Sequence, residues 1–516
     1  MKRSREQIEI NLGELDRLLD RTRVGPLSDV EREKLRTALH VLADKASSRM
    51  RTTERTKAVV KQPSLTDEAG TAAGRQPGTR KGHGRLRPAE YTGAKKVTIR
   101  HTELEAGDAC PECSRGKVYA QREPKVLVRI VGQPPLAATV YEMERLRCNG
   151  CGQVFTAAEP EGIDSEKYDA TATAIIAQLK YGSGVPFLRL ARTQAQMGVP
   201  VPAATQWELV ESAAEGLQAA LDHLIWQAAQ GDIFHNDDTG MRILRLAREP
   251  SDQRTGTFTS GIVSIWQGRR IALFFTGRQH AGENLADVLK RRAEQIRAPI
   301  QMCDALSRNA PKAASGVKIL LANCLAHGRR QFIDVAASFP AECTYVLELL
   351  GMVYANDATA REKGFDNEER LAFHQQYSQP LMDQLHHWLE DQLREAKTEP
   401  NSGLGQAIAY LLKHWRPLTL FLREKGAPVD NNICERALKK AILNRKNAMF
   451  YKTLNGASVG DLYMSLIHTC ELNGVNPFDY LTHLQLHRTE LEQVPADWMP
   501  WSYRDTLKRI QSPFAA

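Results

Sequence analysis

Leu12, Leu15 and Leu19 recur at helical spacing until Gly25-Pro26 ends the run. Ser28 and Glu31 then form a capping-box pair, and Leu35, Ala38, Leu39 and Leu42 stripe the helix behind them. Two short helices with one apolar face each need a cover, in an oligomer or against the body of the chain. The repeat is too short to specify a coiled coil. Alternation at 126–132 (VLVRIVG) and 138–148 (ATVYEMERLRC) predicts strands. From about 165 to 230 the pattern is helical. Within it LRLARTQAQM, a turn at 198–202 and ATQWELVESAAEGL have the outline of a helix-turn-helix, an outline that any helical hairpin shares.

At about residue 231 the texture changes to strands: MRILRL, GTFTSGIVSIW and RRIALFFTG. A helix (ENLADVLKRRAEQI), a short apolar strand (IQMCD), a helix and another strand (VKILLANC) follow. Three strands, a helix, a strand and a helix is the order of an RNase H-like α/β domain. Residues 338–425 read as helical, with stripes such as YVLELLGMVY and AIAYLLKHW, and no strand is expected after them.

The hydrophobic share of 42% and charged share of 25% are those of an ordinary soluble protein. No stretch approaches the roughly 18 apolar residues that span a bilayer. The start, MKRSREQIEI, has no apolar segment behind its basic residues, so a secretory signal is not expected and a cytoplasmic setting is. Charge matters once it is located. Residues 49–100 hold thirteen Lys/Arg against four acids, a net of +9 in a chain whose total is +8. Such a Gly/Pro/Thr-rich basic stretch is either an arm for phosphate backbones or a solvated linker.

Four of the nine cysteines pair as Cys110-Pro-Glu-Cys113 and Cys148-Asn-Gly-Cys151, separated by 34 residues. Two C-x-x-C knuckles joined by strands describe a zinc ribbon, and four thiolates complete a closed, structural zinc site. Cys303, Cys343, Cys434 and Cys470 read as small buried hydrophobes.

Three acids stand out by context. Asp237 lies in HNDDTG, at the edge of the first strand of the α/β region. Asp304 ends the strand IQMCD, and Glu435 follows the helix start Asp430-Asn431-Asn432. Separations of 67 and 131 residues mean that only the fold can bring them together. Phosphodiester cleavage with two divalent ions needs such hard oxygen ligands, and magnesium uses few carboxylates. Singly, each acid also fits a turn, a cap or an i,i+4 pair such as Glu435 with Lys439.

These strings resemble, in order, the motifs of the insertion-sequence-66 transposases, whose catalytic domain is an RNase H-like DDE fold. HNDDTG is similar to the family's Asp-Glu-Thr motif, with Asp237 in the catalytic place and Asp238 where Glu is usual. CDALSRN resembles the second-aspartate motif through Asp304, without the Gly-Tyr that commonly follows. NCLAHGRRQF resembles its Cys-x-x-His-x-Arg-Arg segment, here Cys324, His327, Arg329 and Arg330. DNNICERALKKAILNRKNAMF resembles the Asp-Asn-Asn…Glu-Arg…Arg-Lys-Asn motif and makes Glu435 the third acid. The paired C-x-x-C segment looks like the family's zinc-binding domain, and NGVNPFDYL like its C-terminal pattern.

The resemblance implies a DNA transposase that binds element ends and cleaves and joins strands with Mg2+ (or Mn2+) on Asp237, Asp304 and Glu435, beside a structural Zn2+. Asp237 and Asp238 remain alternatives for the first ligand. Arg329, Arg330, Arg436, Lys439, Lys440, Arg445 and Lys446 are expected at DNA phosphates. Cys324 and His327 make half a zinc site with no second pair nearby, so a structural or DNA-contacting role is expected of them. Implied partners are DNA, further copies of the chain and small accessory proteins, in a bacterial, nucleoid-associated setting. Two rivals are a catalytically inactive zinc-ribbon DNA-binding regulator and an RNase H-like nuclease or resolvase.

The expected architecture is multidomain α+β. It comprises a helical hairpin (1–48), a basic linker (49–100), a zinc ribbon (101–160) and a helical, possible DNA-binding region (161–230). The RNase H-like core begins at 231–337, is interrupted by a helical insertion (338–425), and closes with the catalytic helix (426–475) before a tail (476–516).

Overall fold

The computed structural model describes residues 96–511, without 100–102, 114, 122–125, 131, 152, 159, 161–165, 247–253 and 312–316. The expected hairpin at 1–48 and nearly all of the basic linker lie outside the described residues.

The cysteine-rich segment holds one small hairpin, β1 (Arg145–Arg147) with β2 (Val154–Thr156), antiparallel. The strands expected at 126–132 and over most of 138–148 do not form among the described residues. Their alternation has nothing to bury it: Leu127 is 91% exposed and Val140 82%. Without a partner strand or a covering layer, periodicity alone makes no sheet. One point of attachment is Leu136, which is buried and exchanges hydrogen bonds with the side chain of Gln194.

Helices α1 (Ala170–Ala177), α2 (Phe187–Gln196) and α3 (Ala203–Ala229) follow, α1 running into a π turn at Gln178–Gly182. Val210, Ala214, Leu217, Leu224 and Ala228 line one side of α3 at helical spacing and enter the main core.

The central sheet has five strands: β3 (Ile233–Gly240), β5 (Phe258–Trp266), β6 (Arg269–Gly277), β7 (Ile300–Cys303) and β8 (Leu320–Asn323). Their order is β6-β5-β3-β7-β8, antiparallel from β6 to β3 and parallel from β3 to β8. Helix α4 (Ala281–Leu289) links β6 to β7. This mixed sheet with its helices is consistent with an RNase H-like core. Two expectations change. HNDDTG is not at a strand edge but is the central strand itself, while MRILRL supplies only β4 (Ile243–Arg245), outside the main sheet. The helix expected between β7 and β8 is a single 3-10 turn, Ser307–Asn309, among the described residues. Pro311 just beyond lacks the N–H that a continuing helix would need.

Helices α5 (Leu325–Val335), α6 (Pro340–Glu362), α7 (Asn367–Tyr377), α8 (Gln379–Arg394), α9 (Gly403–Lys413) and α10 (Trp415–Leu418) build a second core. It gathers Phe332, Val346, Leu350, Leu385 and Ile408 beside Ile300 and Met302 of β7. Then come α11 (Asn432–Ala448), β9 (Tyr451–Thr453) and α12 (Leu454–Leu472). A strand therefore does return after the insertion: β9 pairs in parallel with β4. Helices α13 (Pro477–Leu486), α14 (Arg488–Gln493) and α15 (Tyr503–Gln511) end the described chain.

Helix α12 covers the edge strand β6 by matching its outward N–H groups. Ala272, Phe274 and Thr276 donate to Thr469 Oγ1, Ser465 Oγ and Asp461 Oδ2 at 3.0, 3.0 and 2.6 Å. Four helical residues rise about 6 Å and two strand residues about 6.6 Å, so the two ladders stay in step. The edge is capped by side chains, which blocks pairing with another chain.

Candidate active site

Strand register puts the first two acids together. Ile233 pairs with Ile300 and His235 with Met302, an offset of 67. Asp237 and Asp304 differ by 67 too, so they stand at one level where β3 and β7 run side by side. The next register, Ile300 with Leu320 and Cys303 with Asn323, is offset by 20 and brings Cys324 beside Asp304.

Asn309 spans the two carboxylates. Its side-chain amide donates to Asp237 Oδ1 at 3.2 Å and to Asp304 Oδ1. Its own backbone carbonyl accepts from Asn236 Nδ2 at 2.8 Å and Gln301 Nε2 at 2.7 Å, which fixes the turn. Burial raises the Asp237 carboxyl to about 6, and the charge of Asp304 pushes the same way against hydrogen bonds from the Asp238 N–H and Asn309.

The neighbouring Asp238 is engaged elsewhere. Its side chain is 2% exposed, with His280 Nδ1 2.7 Å from Oδ2 and Arg308 3.5 Å from Oδ1. His235 is buried with Nδ1 3.1 Å from Asn431 Oδ1, and burial lowers it to about 4.

Helix α11 carries Glu435 in its first turn. The helix start is legible as Asp-Asn-Asn, yet the caps are divided differently from their order. Asp430 accepts from the Asn432 backbone at 3.1 Å, whereas the Asn431 side chain makes no cap. Asn431 is fully buried and turns to the sheet, donating to the Asn236 carbonyl at 3.1 Å. Its N–H donates to Cys324 Sγ at 3.2 Å. This one residue ties the start of α11 to both β3 and the end of β8. Gly261, opposite Asp237 on β5, lets the helix lie close: a Cβ there would meet Leu438 Cδ2 at 3.0 Å. The far end is held by Arg445, which donates to Thr239 Oγ1 at 3.1 Å and to the Gly240 carbonyl.

Cys324, His327 and Glu435 converge, with one ligand atom of each within 4.8 Å of the others. His327 Nδ1 lies 3.8 Å from Glu435 Oε1. No other group of three or more His, Cys, Asp or Glu among the described residues gathers in this way, the four knuckle cysteines included. Each knuckle is nevertheless shaped as a turn: Cys110 N–H donates to Gly116 O at 2.8 Å and Cys148 N–H to Gln153 O at 2.9 Å.

The basic residues divide. Arg330, Arg436, Lys439 and Lys446 are exposed, and Arg329 is half-buried. Lys440 is committed internally, to Glu471 at 2.7 Å and the Gly182 carbonyl at 3.0 Å, as Arg445 is to β3. Sequence reasoning missed Asn309, Asn431 and Gly261. The Asn residues in SRN and DNN were visible, but their long-range partners were not.

Residues 166–459 match the model of the transposase IS66 family. The chain belongs to that family. The IS66 match takes in β3, β7 and α11, and with them Asp237, Asp304, Asn309, Cys324, His327, Asn431 and Glu435, but not the four knuckle cysteines. Relatives include two uncharacterized proteins of Sinorhizobium fredii (strain NBRC 101917 / NGR234). One, y4jD, is 34% identical over 204 residues, 39% of this chain and 39% of the relative. Another, y4qI, is 25% identical over 440 residues, 81% of this chain and 74% of the relative. The alignment with y4jD thus spans well under half of that protein's length. No described helix of this IS66 chain is long and apolar enough to cross a membrane.

Proposed function

We propose that the protein is a DNA transposase that cleaves and joins strands at element ends through Asp237, Asp304 and Glu435. The reading rests on IS66 membership. The observation that carries its chemistry is the shared level of Asp237 and Asp304, with α11 laid across the same strand.

A divalent cation fits the donor set. Two carboxylates side by side share one amide donor, and a buried carboxyl is left holding its proton to about pH 6. A cation between them would satisfy both charges. Asp237, Asp304 and Glu435 would hold Mg2+ or Mn2+, all three being hard oxygen ligands. When bound, such ions activate a water or 3′-hydroxyl and stabilise the leaving oxygen. Asn309 aims the two Asp side chains, and Asn431 and Gly261 set the depth of α11. Arg329, Arg330, Arg436, Lys439 and Lys446 position the phosphate backbone. Cys110, Cys113, Cys148 and Cys151 bind a structural zinc. DNA, and on it further copies of the chain, are the partners.

The test is strand cleavage of element-end DNA. Asp237→Asn, Asp304→Asn and Glu435→Gln should each lower the Mg2+-dependent rate by about 100-fold or more, with duplex binding kept. Pairs should be no worse than singles, because the acids act as one unit. Asp238→Asn should cost far less. A Glu435→Gln protein that nicks at the native rate would remove this assignment.

A further inference from the structure

A cavity of about 920 Å³ opens beside the C-terminal end of α11. Its wall is aromatic. Tyr181 meets Phe187 edge to face with centroids 6.4 Å apart, and Phe187 meets Trp207 at 6.5 Å. The chain leaves α11 through Met449, whose φ of 69° is left-handed, and the turn brings Phe450, 39% exposed, to the mouth. A bulky residue adopts that backbone only at a cost, so the surroundings hold the turn in place.

One buried and two exposed basic side chains line the cavity with the aromatic wall. Lys180 sits 5.5 Å from the centroids of both the Tyr181 and Phe187 rings and is fixed by Asn444 Oδ1 at 2.7 Å. Arg245 and Lys452, both exposed, complete the lining, against one acid, Glu211, which accepts from Asn455. Flat apolar rings inside and positive charge around them suit a base with its phosphate. Aromatic faces take any base by stacking, and cations track the backbone.

The position ties the cavity to the acids. Asn447, on its wall, is twelve residues beyond Glu435 on one helix, about 18 Å along the axis. At about 3.4 Å per nucleotide, that is about five nucleotides of strand.

We propose that this cavity receives an unpaired nucleobase of the DNA strand, about five nucleotides from the phosphate held at Asp237, Asp304 and Glu435. The proposal rests on the transposase reading above. Unstacking a base costs more in duplex DNA than where the strand is already single, so a frayed or overhanging end is the natural donor.

The test uses the full chain and a DNA duplex with a short single-stranded tail, in which each tail nucleotide in turn is replaced by an abasic one. Affinity should fall by about tenfold at one or two adjacent positions and hold elsewhere. Trp207→Leu should weaken binding of the intact tail by a similar factor and erase the positional effect. Phe450→Ala, on the exposed rim, repeats the test should Trp207→Leu melt early. Lys452→Ala should flatten the salt dependence. Equal binding at every abasic position overturns the proposal, as does a positional loss that survives both aromatic substitutions. Plain duplex and Mg2+-dependent nicking are measured alongside. If duplex is bound and nicked while the tail scan is flat, the cavity proposal falls alone. If plain duplex is not bound, the transposase reading falls and the cavity proposal with it.

Discussion

Asn309 donates its side-chain amide to Asp237 at 3.2 Å while sharing the same group with Asp304, and it is itself fully buried. One neutral donor therefore stands between two acids that would otherwise face each other.

Replacing that donor should be felt most without metal. Asn309→Ala is expected to destabilise the metal-free protein by about 1–3 kcal/mol, the cost of leaving buried polar groups unpaired. Added Mg2+ or Mn2+ should recover part of the loss, since a cation between the carboxylates replaces the amide. Denaturant melts with and without the ion check this; an equal deficit in both would mean that Asn309 serves the turn alone.

Gly261 sets how near α11 comes to β5. Gly261→Val should press on Leu438 and Cys434 and lift the helix, at about 1–3 kcal/mol of overpacking. Strand cleavage should fall much further than stability does, because Glu435 rides on that helix. Comparing melting temperature with nicking rate separates the two effects.

Asp461 makes a pH prediction. It is buried against Thr276, and burial raises its carboxyl to about 7, with both Thr276 hydrogen bonds opposing. The unfolded value is near 3.8. The folded state thus holds the proton more tightly. The stability this group contributes is complete below about pH 4, declines as pH rises towards 7, and is then lost. The span is a few kcal/mol at most. Asp461→Asn should flatten the stability profile between pH 4 and 7; an unaltered slope would assign the proton to another group.

Purified protein should carry about one zinc, and Cys113→Ala should lose it together with order around Cys148 and Cys151. Elemental analysis decides this, and full stoichiometry in the variant would reject the four-cysteine site.

Strands β5 to β8 and the helices of 170–229 and 325–418 were legible because their apolar positions are periodic or continuous. β3 was not. IFHNDDTG carries too many polar groups to look like a central strand, and partners far along the chain, among them Asn309, Asn431, His280, Gln301 and Arg445, make those groups tolerable there. The same long-range bonding hid the helix start: Asn431 reads as a cap and serves as a clamp. At 126–144 the error ran the other way, since clean alternation met no covering layer among the described residues. Cys324 and His327 showed no further ligand nearby in the sequence because Glu435, their neighbour in the fold, lies 111 residues beyond Cys324, a distance no local pattern bridges. The 67-residue gap from Asp237 to Asp304 was visible throughout, but its meaning came only with the strand register.

The helical insertion also imposes an order in time. Asp237 and Asp304 leave the ribosome with their strands, while Glu435 follows 131 residues after Asp304. At about 5–20 residues per second, that is a delay of roughly 7–26 s. Throughout it the growing chain carries Asp237 and Asp304 but not Glu435. On the proposed reading, a polypeptide stalled or cut short before α11 carries two of the three acids, and a complete cutting centre exists only once α11 has been made.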